Sequence, residues 1–252
     1  MPQSVKVTGG ELAVDVEGEG PPVVLVHSGV TDGRQWETVS KLLAPRRTVY
    51  RYDRRGYGRS KTTRRGGRFS AALDLLELLD GLGLERPVVC GNSAGGQAVL
   101  EAAAIVPERF ERMVLLAPSL PVWDWSAETE AYGEAEEAAF EARDFDRVIE
   151  LNLDMWVHRP EHREPVATML RRSFENQAKR PWAEFEPEPL VTDRLDEIQG
   201  PVHLLVGEHD LEDFKAIAWY LADRLPGARA EEVPGAGHLL GLECPELVAD
   251  LL

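Results

Sequence analysis

The sequence predicts an α/β fold in which a mostly parallel, eight-stranded sheet carries helices on both faces. Short apolar runs recur along the chain, and most are followed by turn residues and then by a stretch with helical spacing of apolar side chains. An uninterrupted apolar run is typical of a strand buried on both faces of a parallel sheet, and alternating strands and helices imply right-handed crossovers. The 252 residues are enough to build this fold around one core.

The chain opens with a predicted β-hairpin. Residues 5–8 and 11–16 alternate around Gly9 and Gly10, a pattern typical of two antiparallel strands joined by a two-residue turn. The first fully buried strand follows at residues 23–26. Further strands are predicted, in chain order, at residues 48–52, 88–90, 113–116, 202–206 and 230–233.

Helices are predicted where apolar residues recur every three or four positions. Residues 36–43 form one such stripe, and the leucines of residues 73–79 form a second after Ser70, a residue type that caps helix N-termini. A third helical run, residues 97–105, follows the strand at 88–90.

Residues 121–196 interrupt this alternation. They contain no convincing strand, are rich in Glu, Ala, Arg and Trp, and are divided by prolines into several short predicted helices. We therefore predict a core domain formed by residues 1–120 and 197–252, with a helical insertion at 121–196 after the sixth strand.

Composition limits the partners and the location of the protein. The formal net charge of -16 disfavours nucleic acids and anionic membrane surfaces. No apolar run approaches the roughly 18 residues of a membrane span, the N-terminus lacks the apolar stretch of a secretory signal, and two cysteines make no framework of disulfides. We expect a cytoplasmic monomer or homodimer without a metal or other cofactor.

The sharpest motif is Gly91-Asn92-Ser93-Ala94-Gly95, a G-x-S-x-G sequence between the strand at 88–90 and the helical run at 97–105. A serine on such a tight turn has a strained backbone, and the two glycines remove side chains that would crowd it. The first amides of the helix point at the serine, where they stabilise negative charge. Ser93 is therefore the predicted nucleophile for acyl transfer.

A dinucleotide site is the competing interpretation of the same glycines. Strand, glycine-rich turn and helix also describe such a site, and Tyr57 and Lys61 have the Y-x-x-x-K spacing of short-chain reductases. In a dinucleotide fold the glycine-rich turn follows the first parallel strand, whereas here it comes after the Tyr and the Lys. The order of the motifs disfavours an oxidoreductase.

A serine hydroxyl needs a base to take its proton and an acid to orient that base. Among the six histidines, His238 lies in a glycine-rich loop after the last predicted strand, from which it can reach over the strand ends. Asp210 follows the strand at 202–206 and so lies at the same sheet edge as Ser93. Asp124 and Asp213 are the alternative acids.

These motifs resemble the α/β-hydrolase superfamily over most of the chain outside the insertion. The order Ser, Asp, His is that of the family, residues 26–30 (VHSGV) resemble its oxyanion loop, and residues 52–60 (YDRRGYGRS) resemble its D-x-R-G-x-G-x-S segment. The resemblance implies an oxyanion hole formed by the amides of Gly29 and Ala94, with His27 shaping the loop at the substrate site. Ser28 replaces the usual glycine, so the loop donor is either Gly29 or a neighbour.

The resemblance also implies the reaction. Ser93 would attack a carbonyl, and water activated by His238 would hydrolyse the acyl-enzyme while Asp210 holds the imidazole. The insertion would be the helical cap of the family, and Trp156 is its predicted substrate-binding residue.

For a small, apolar, ester-like substrate, hydrolysis of a carboxylic ester or lactone is the leading prediction. Cleavage of carbon–carbon bonds in ring-fission diketones and a non-catalytic ligand receptor on the same fold are the alternatives. Peptidase, thioesterase and acyltransferase activities also stay open.

Overall fold

A computed structural model describes residues 2–62, 67–179 and 182–252 and has one large β-sheet at its centre. We number eight strands along the chain: β1 (Pro2–Val7), β2 (Gly10–Glu17), β3 (Pro22–Val26), β4 (Thr48–Tyr52), β5 (Val88–Asn92), β6 (Arg112–Leu116), β7 (Val202–Gly207) and β8 (Arg229–Val233).

The spatial order of the strands is β1-β2-β4-β3-β5-β6-β7-β8. Strand β2 runs antiparallel to its neighbours β1 and β4, and strands β3 to β8 are parallel. A two-residue strand, Lys61–Thr62, also pairs with β2. The predicted α/β fold with a mostly parallel, eight-stranded sheet is confirmed.

The opening hairpin differs from the prediction by one residue. Val7 pairs with Gly10, so the two-residue turn consists of Thr8 and Gly9. Gly9 has a φ of 77°, a conformation that glycine adopts without steric strain. The glycine needed at the turn is thus the first of the predicted pair.

The central strands are buried on both faces, as their uninterrupted apolar sequences predict. Residues 23–26 and 113–116 have no side chain accessible to solvent. Helices α1 (Glu37–Leu43) and, near the C-terminus, Pro245–Asp250 cover one face. The other face is covered by α2 (Ala71–Gly81) and α3 (Ala94–Ile105). Ser70 caps α2 as predicted, since its side chain accepts a hydrogen bond from the amide of Leu73.

Three helices fill most of the stretch between β6 and β7: α4 (Ala127–Glu141), α5 (Phe145–Trp156) and α6 (Arg163–Lys179). They are longer than predicted. Pro165 does not interrupt α6 because it lies in the first helical turn, where the backbone N–H has no partner within the helix. This stretch also contains an unpredicted two-residue strand, Ala183–Glu184, which pairs with Arg68–Phe69.

The remaining α-helices of the described residues are α7 (Glu212–Arg224), α8 (Leu240–Glu243) and the terminal helix α9 (Pro245–Asp250). Within the described ranges, no helix combines the length and the hydropathy that crossing a membrane requires. Because β3, β5, β7 and β8 are parallel, the loops that follow them meet at one edge of the sheet. These loops contain, in chain order, Gly29, Ser93, Asp210 and His238.

Candidate active site

Ser93 stands at the turn between β5 and α3. Its φ of 54° and ψ of -122° are a strained combination for a residue with a side chain, as predicted for a serine on a tight strand-to-helix turn. A Cβ on Gly91 would lie 2.5 Å from the Gly95 carbonyl oxygen, and a Cβ on Gly95 would overlap the Val26 carbonyl oxygen. Glycine is therefore required on both sides of Ser93.

The His238 imidazole is hydrogen-bonded to Asp210. Its Nδ1 lies 2.9 Å from Asp210 Oδ1 and 3.0 Å from Oδ2, and both side chains are buried. The Leu211 amide donates to Asp210 Oδ1 at 2.8 Å and holds the carboxylate in place. Because an ionised carboxylate only accepts, we assign the ring proton to Nδ1. This leaves Nε2 of His238 as the nitrogen available to a hydroxyl.

Ser93 and His238 line one cavity with a volume of about 460 Å³. Within the described part of the chain, no hydrogen bond joins the Ser93 hydroxyl to the imidazole. Such catalytic bonds often tighten only in the complex with substrate. The structure thus brings all three predicted residues to one place and joins two of them directly.

The two alternative acids lie elsewhere. Asp124 is exposed. Asp213 accepts hydrogen bonds from Ser126 Oγ and Thr129 Oγ1, each at 2.6 Å, and so anchors the first turn of α4. Burial tends to raise the pKa of Asp213, but these hydrogen bonds outweigh it and lower that pKa below its ordinary value. Asp213 therefore serves as a structural anchor.

Two aromatic rings enclose the His238 imidazole. The Trp156 ring centroid lies 4.6 Å from that of His238, and the Phe214 centroid lies 4.5 Å from it in a T-shaped arrangement. Trp156 and Phe214 also contact each other, with centroids 5.6 Å apart. The rings restrict the orientation of the imidazole. Trp156, the predicted substrate-binding residue, lines the cavity, whereas Phe214 was not predicted.

Gly29 and Ala94, the predicted oxyanion donors, lie next to each other. A Cβ on Gly29 would be 3.7 Å from the Ala94 Cβ and 4.0 Å from the Tyr57 hydroxyl oxygen. Ser28, the departure from the family pattern, is fully buried: its amide donates to Gln35 Oε1 at 3.0 Å, and its hydroxyl is bonded to that of Thr31. The Ser28 hydroxyl thus stabilises the loop from inside.

His27 lies behind the cavity wall. It is fully buried, Nε2 accepts a hydrogen bond from the Arg54 amide at 2.8 Å, and Nδ1 donates to the Ser28 carbonyl oxygen at 2.7 Å. Burial, aided by the Arg54 guanidinium, lowers the pKa of His27 to about 4, so the ring is neutral. Since both ring nitrogens are hydrogen-bonded to the backbone, His27 is placed to shape the oxyanion loop at the substrate site, and it lies behind the described residues that line the cavity.

Asn92, directly before Ser93, joins three elements of the site. Its Oδ1 accepts a hydrogen bond from Gln35 Nε2 at 2.7 Å, and its Nδ2 donates to the carbonyl oxygens of Leu116 at 2.9 Å and His238 at 3.2 Å. Asn92 is fully buried. The oxyanion loop, the Ser93 turn and the His238 loop therefore share one hydrogen-bond network.

A second polar anchor holds the helices between β6 and β7. Arg159, which lies between α5 and α6, donates to the Glu243 carbonyl oxygen at 2.8 Å, and its Nε lies 3.4 Å from Glu243 Oε2. The same Glu243 carboxylate accepts a hydrogen bond from the Gly237 amide at 2.8 Å. Arg159 thus ties these helices to the residue before His238.

Sequence analysis missed several residues of the cavity wall. Their shared signal is helical spacing, because side chains four residues apart lie on one face of a helix. Tyr57, considered earlier only with Lys61, also lines the cavity. The missed residues on the three helices are Tyr132, Glu136, Glu137, Phe140, Asn152, Phe174 and Gln177. Among the described residues, no group of three or more His, Cys, Asp or Glu side chains is arranged to hold a metal ion.

Comparison with known proteins places this geometry in context. A sequence model described as "Alpha/beta hydrolase family" matches residues 23–251. The pimeloyl-[acyl-carrier protein] methyl ester esterase of Nitrosomonas europaea is 26% identical over 93% of this chain and 95% of the relative. Carboxylesterase YbfK of Bacillus subtilis is 27% identical over 91% of this chain and 78% of the relative.

Among solved structures, Est816, described as an N-acyl homoserine lactone degrading enzyme, superposes with a TM-score of 0.77. It is 26% identical, and the match covers 99% of this chain and 98% of Est816.

Proposed function

Because the chain belongs to the alpha/beta hydrolase family of enzymes, we propose that it is a serine hydrolase that cleaves a carboxylic ester or lactone through an acyl-enzyme on Ser93. The observation that carries the proposal is the Asp210–His238 pair beside the cavity that Ser93 lines. Relatives named as esterases and a lactone-degrading structural neighbour support this reaction class.

In the acylation step, the Ser93 hydroxyl attacks the carbonyl carbon of the substrate as His238 Nε2 accepts its proton. Asp210 keeps the Nδ1 proton in place and stabilises the imidazolium that forms. The amides of Gly29 and Ala94 donate to the oxyanion of the tetrahedral intermediate. As the intermediate collapses, the imidazolium returns its proton to the leaving alcohol oxygen.

Deacylation repeats these steps with water. His238 Nε2 takes a proton from a water molecule, whose oxygen attacks the acyl carbon, and the ester bond to Ser93 breaks. The proton passes to Ser93 Oγ, which restores the hydroxyl and releases the carboxylic acid. No step requires a metal or an organic cofactor.

We assign residues 121–196 as the cap of this hydrolase and residues 1–120 and 197–252 as its core. Support comes from the cavity wall, to which the core contributes Ser93 and His238 while α4 and α5 contribute Tyr132 and Trp156. A cavity of about 460 Å³ with many aromatic side chains suits a small, largely apolar substrate. The two free cysteines are in keeping with a reducing cytoplasm.

The test combines a substrate panel with labelling of the nucleophile. Wild type, Ser93→Ala and the control Ser119→Ala are assayed with p-nitrophenyl esters, lactones and a ring-fission diketone, and are then treated with a fluorophosphonate probe. We expect Ser93→Ala to abolish labelling and to lower kcat/KM at least about 10³-fold, because removing a triad member removes the acyl-enzyme route. Ser119→Ala should retain both.

Three results would contradict the proposal. Labelling of folded protein at a serine other than Ser93 would remove the proposed nucleophile. Turnover of the diketone alone would favour the carbon–carbon hydrolase, and absence of turnover and labelling in folded protein would favour a receptor.

A further inference from the structure

In the cavity wall, the Glu136 carboxylate accepts the last of three consecutive hydrogen bonds. Trp156 Nε1 donates to the Tyr132 hydroxyl oxygen at 2.9 Å, that hydroxyl donates to Asn152 Oδ1 at 2.9 Å, and Asn152 Nδ2 donates to Glu136 Oε1 at 2.7 Å. All donors point in the same direction along this chain, and each bond polarises the next. The chain ends at Glu136 and fixes the position of its carboxylate.

Tyr132 and Asn152, the two middle residues of this hydrogen-bond chain, are held in their places within it. Asn152 is 1% exposed, and its Nδ2 also donates to the Val148 carbonyl oxygen at 2.9 Å. Burial raises the pKa of the Tyr132 phenol above its ordinary value, which keeps the donating proton in place. Glu136 is half-buried, and no positively charged side chain in the described ranges is paired with it. Its charge therefore stays available to a ligand.

Other residues of the cavity wall also favour a positively charged ligand. Glu137 lines the same cavity, and no lysine or arginine is among the lining residues in the described ranges. Aromatic rings, including Tyr57, Phe140 and Phe174, form much of the remaining surface. Carboxylates and aromatic faces both attract ammonium groups, the first through charge and the second through the ring quadrupole.

We propose that Glu136 determines specificity, so that the enzyme selects esters carrying an ammonium group and disfavours esters carrying a carboxylate. This inference rests on the proposed function, because it concerns the same cavity. An ammonium group beside Glu136 supplies the positive partner that this carboxylate lacks within the described ranges. An anionic group instead meets two carboxylates and, among the described lining residues, no lysine or arginine. Trp156 begins the hydrogen-bond chain and contacts the His238 imidazole, so one wall joins the ammonium site to the reacting centre.

The test compares three esters of the same acid. Butyrylcholine carries a quaternary ammonium group, 3,3-dimethylbutyl butyrate is its neutral isostere, and 4-butyryloxybutanoate carries a carboxylate. Acid release is followed by pH-stat titration at low ionic strength. For the wild type we expect kcat/KM for butyrylcholine to exceed that for the neutral ester about 10-fold, the effect of one charge pair near a protein surface, and the anionic ester to be the slowest.

Two variants distinguish the effect of the Glu136 charge from the effect of the net charge of the protein. Glu136→Gln removes the charge but keeps the size of the side chain and an oxygen that can accept from Asn152. Glu134→Gln makes the same change in net charge on α4 at an exposed position that does not line the cavity. We expect Glu136→Gln to lower the preference for butyrylcholine over the neutral ester about 10-fold and Glu134→Gln to leave it unchanged.

Equal rates for butyrylcholine and the neutral ester in the wild type would overturn the inference, as would equal effects of the two variants. Turnover of the neutral ester that depends on Ser93 would still support the proposed function. If folded protein hydrolyses none of the esters, the affinities of two alcohols, measured by calorimetry, test the ammonium site. Choline binding at least about 5-fold tighter than 3,3-dimethylbutan-1-ol supports the site, and equal binding overturns it.

Discussion

The side chain of Asn92 donates a hydrogen bond to the backbone carbonyl oxygen of His238, with 3.2 Å between the nitrogen and the oxygen. The two residues are 146 positions apart in the chain. Asn92 immediately precedes Ser93, so this bond sets the spacing between the loops of the proposed nucleophile and the proposed base. The middle residue of the G-x-S motif thus has a structural task that the motif itself does not reveal.

Replacing Asn92 with alanine should weaken both the fold and the catalysis. The variant leaves the Gln35 amide and the buried His238 carbonyl oxygen without this partner, while the Leu116 carbonyl oxygen keeps its bond from the Ser93 amide, so we expect the free energy of unfolding to fall by about 2–4 kcal/mol. We also expect a lower kcat because the His238 loop loses a restraint. Urea denaturation and steady-state kinetics measure the two effects. Asn176→Ala, which removes one part-buried bond to the Gly58 carbonyl oxygen, is the matched control and should cost about 1 kcal/mol.

Asp210→Asn should lower kcat/KM by about 10²- to 10⁴-fold while the circular dichroism spectrum stays that of the wild type. The amide cannot accept the Nδ1 proton as a carboxylate does, so the imidazole loses its tautomer and its orientation. Asp124→Asn changes an exposed carboxylate and should leave kcat/KM within about 2-fold of the wild type. If the Asp124 variant lost most of its kcat/KM while the Asp210 variant stayed active, the acid that orients His238 would be Asp124, in the loop after β6.

Burial of Glu101 predicts a pH-dependent difference in stability. Burial raises the pKa of this carboxyl to about 7, from 4.5 in an exposed carboxyl, although the Gln97 amide opposes the change. The folded state then holds a proton that the unfolded state releases, so stability from this group is present below pH 4.5 and lost as the pH rises through 7. Relative to the wild type, Glu101→Gln should gain on the order of 3 kcal/mol between pH 4.5 and pH 8.

Denaturation by urea at several pH values measures this difference. Glu111→Gln, at an exposed position, should show no comparable gain. His27 acts in the opposite sense, because its pKa falls from 6.5 to about 4 on folding and its protonation favours the unfolded state. Its contribution to stability is lost as the pH falls from 6.5 towards 4. A Glu101→Gln variant that gained stability on acidification relative to the wild type would refute the assignment.

Two glycine-to-alanine changes should have opposite effects. At Gly95, an added Cβ would overlap the Val26 carbonyl oxygen and lie 2.5 Å from that of His27, so we expect little soluble, folded protein. At Gly133, in the middle of α4, no described atom beyond the chain neighbours and the adjoining helix backbone lies within 4 Å of an added Cβ. Alanine there should raise the free energy of unfolding by about 0.5–1 kcal/mol, since it restricts the unfolded chain. Soluble yield and thermal denaturation distinguish the two.

The parallel strands could be predicted because burial on both faces requires an uninterrupted apolar run, a property of each strand by itself. The positions of Asp210 and His238 followed from the same reasoning, since loops after parallel strands meet at one edge of the sheet. The Asp210–His238 hydrogen bond therefore joins residues that the sequence already placed together.

The wall formed by α4 to α6 could not be predicted in the same way. Which face of a helix turns towards the core depends on how the helix docks, and the many glutamates of α4 leave its apolar face weakly marked. Phe214 contacts His238 only because α7 and the loop after β8 pack together, a contact between distant parts of the chain. The two hydrogen bonds from the His27 ring to the backbone could not be predicted either, because side-chain patterns do not report such bonds.

The anchors of the three helices have a consequence for motion. Asp213 and Arg159 each hold the helices with several hydrogen bonds close to Asp210 and His238, whereas Asn176, near the end of α6, makes a single bond to the Gly58 carbonyl oxygen. An opening movement that keeps both anchors and lifts the end of α6 breaks the Asn176 bond and must also separate, or carry with it, the paired strands Ala183–Glu184 and Arg68–Phe69. With such a movement, the cavity could admit and release molecules while the imidazole and its carboxylate kept their alignment.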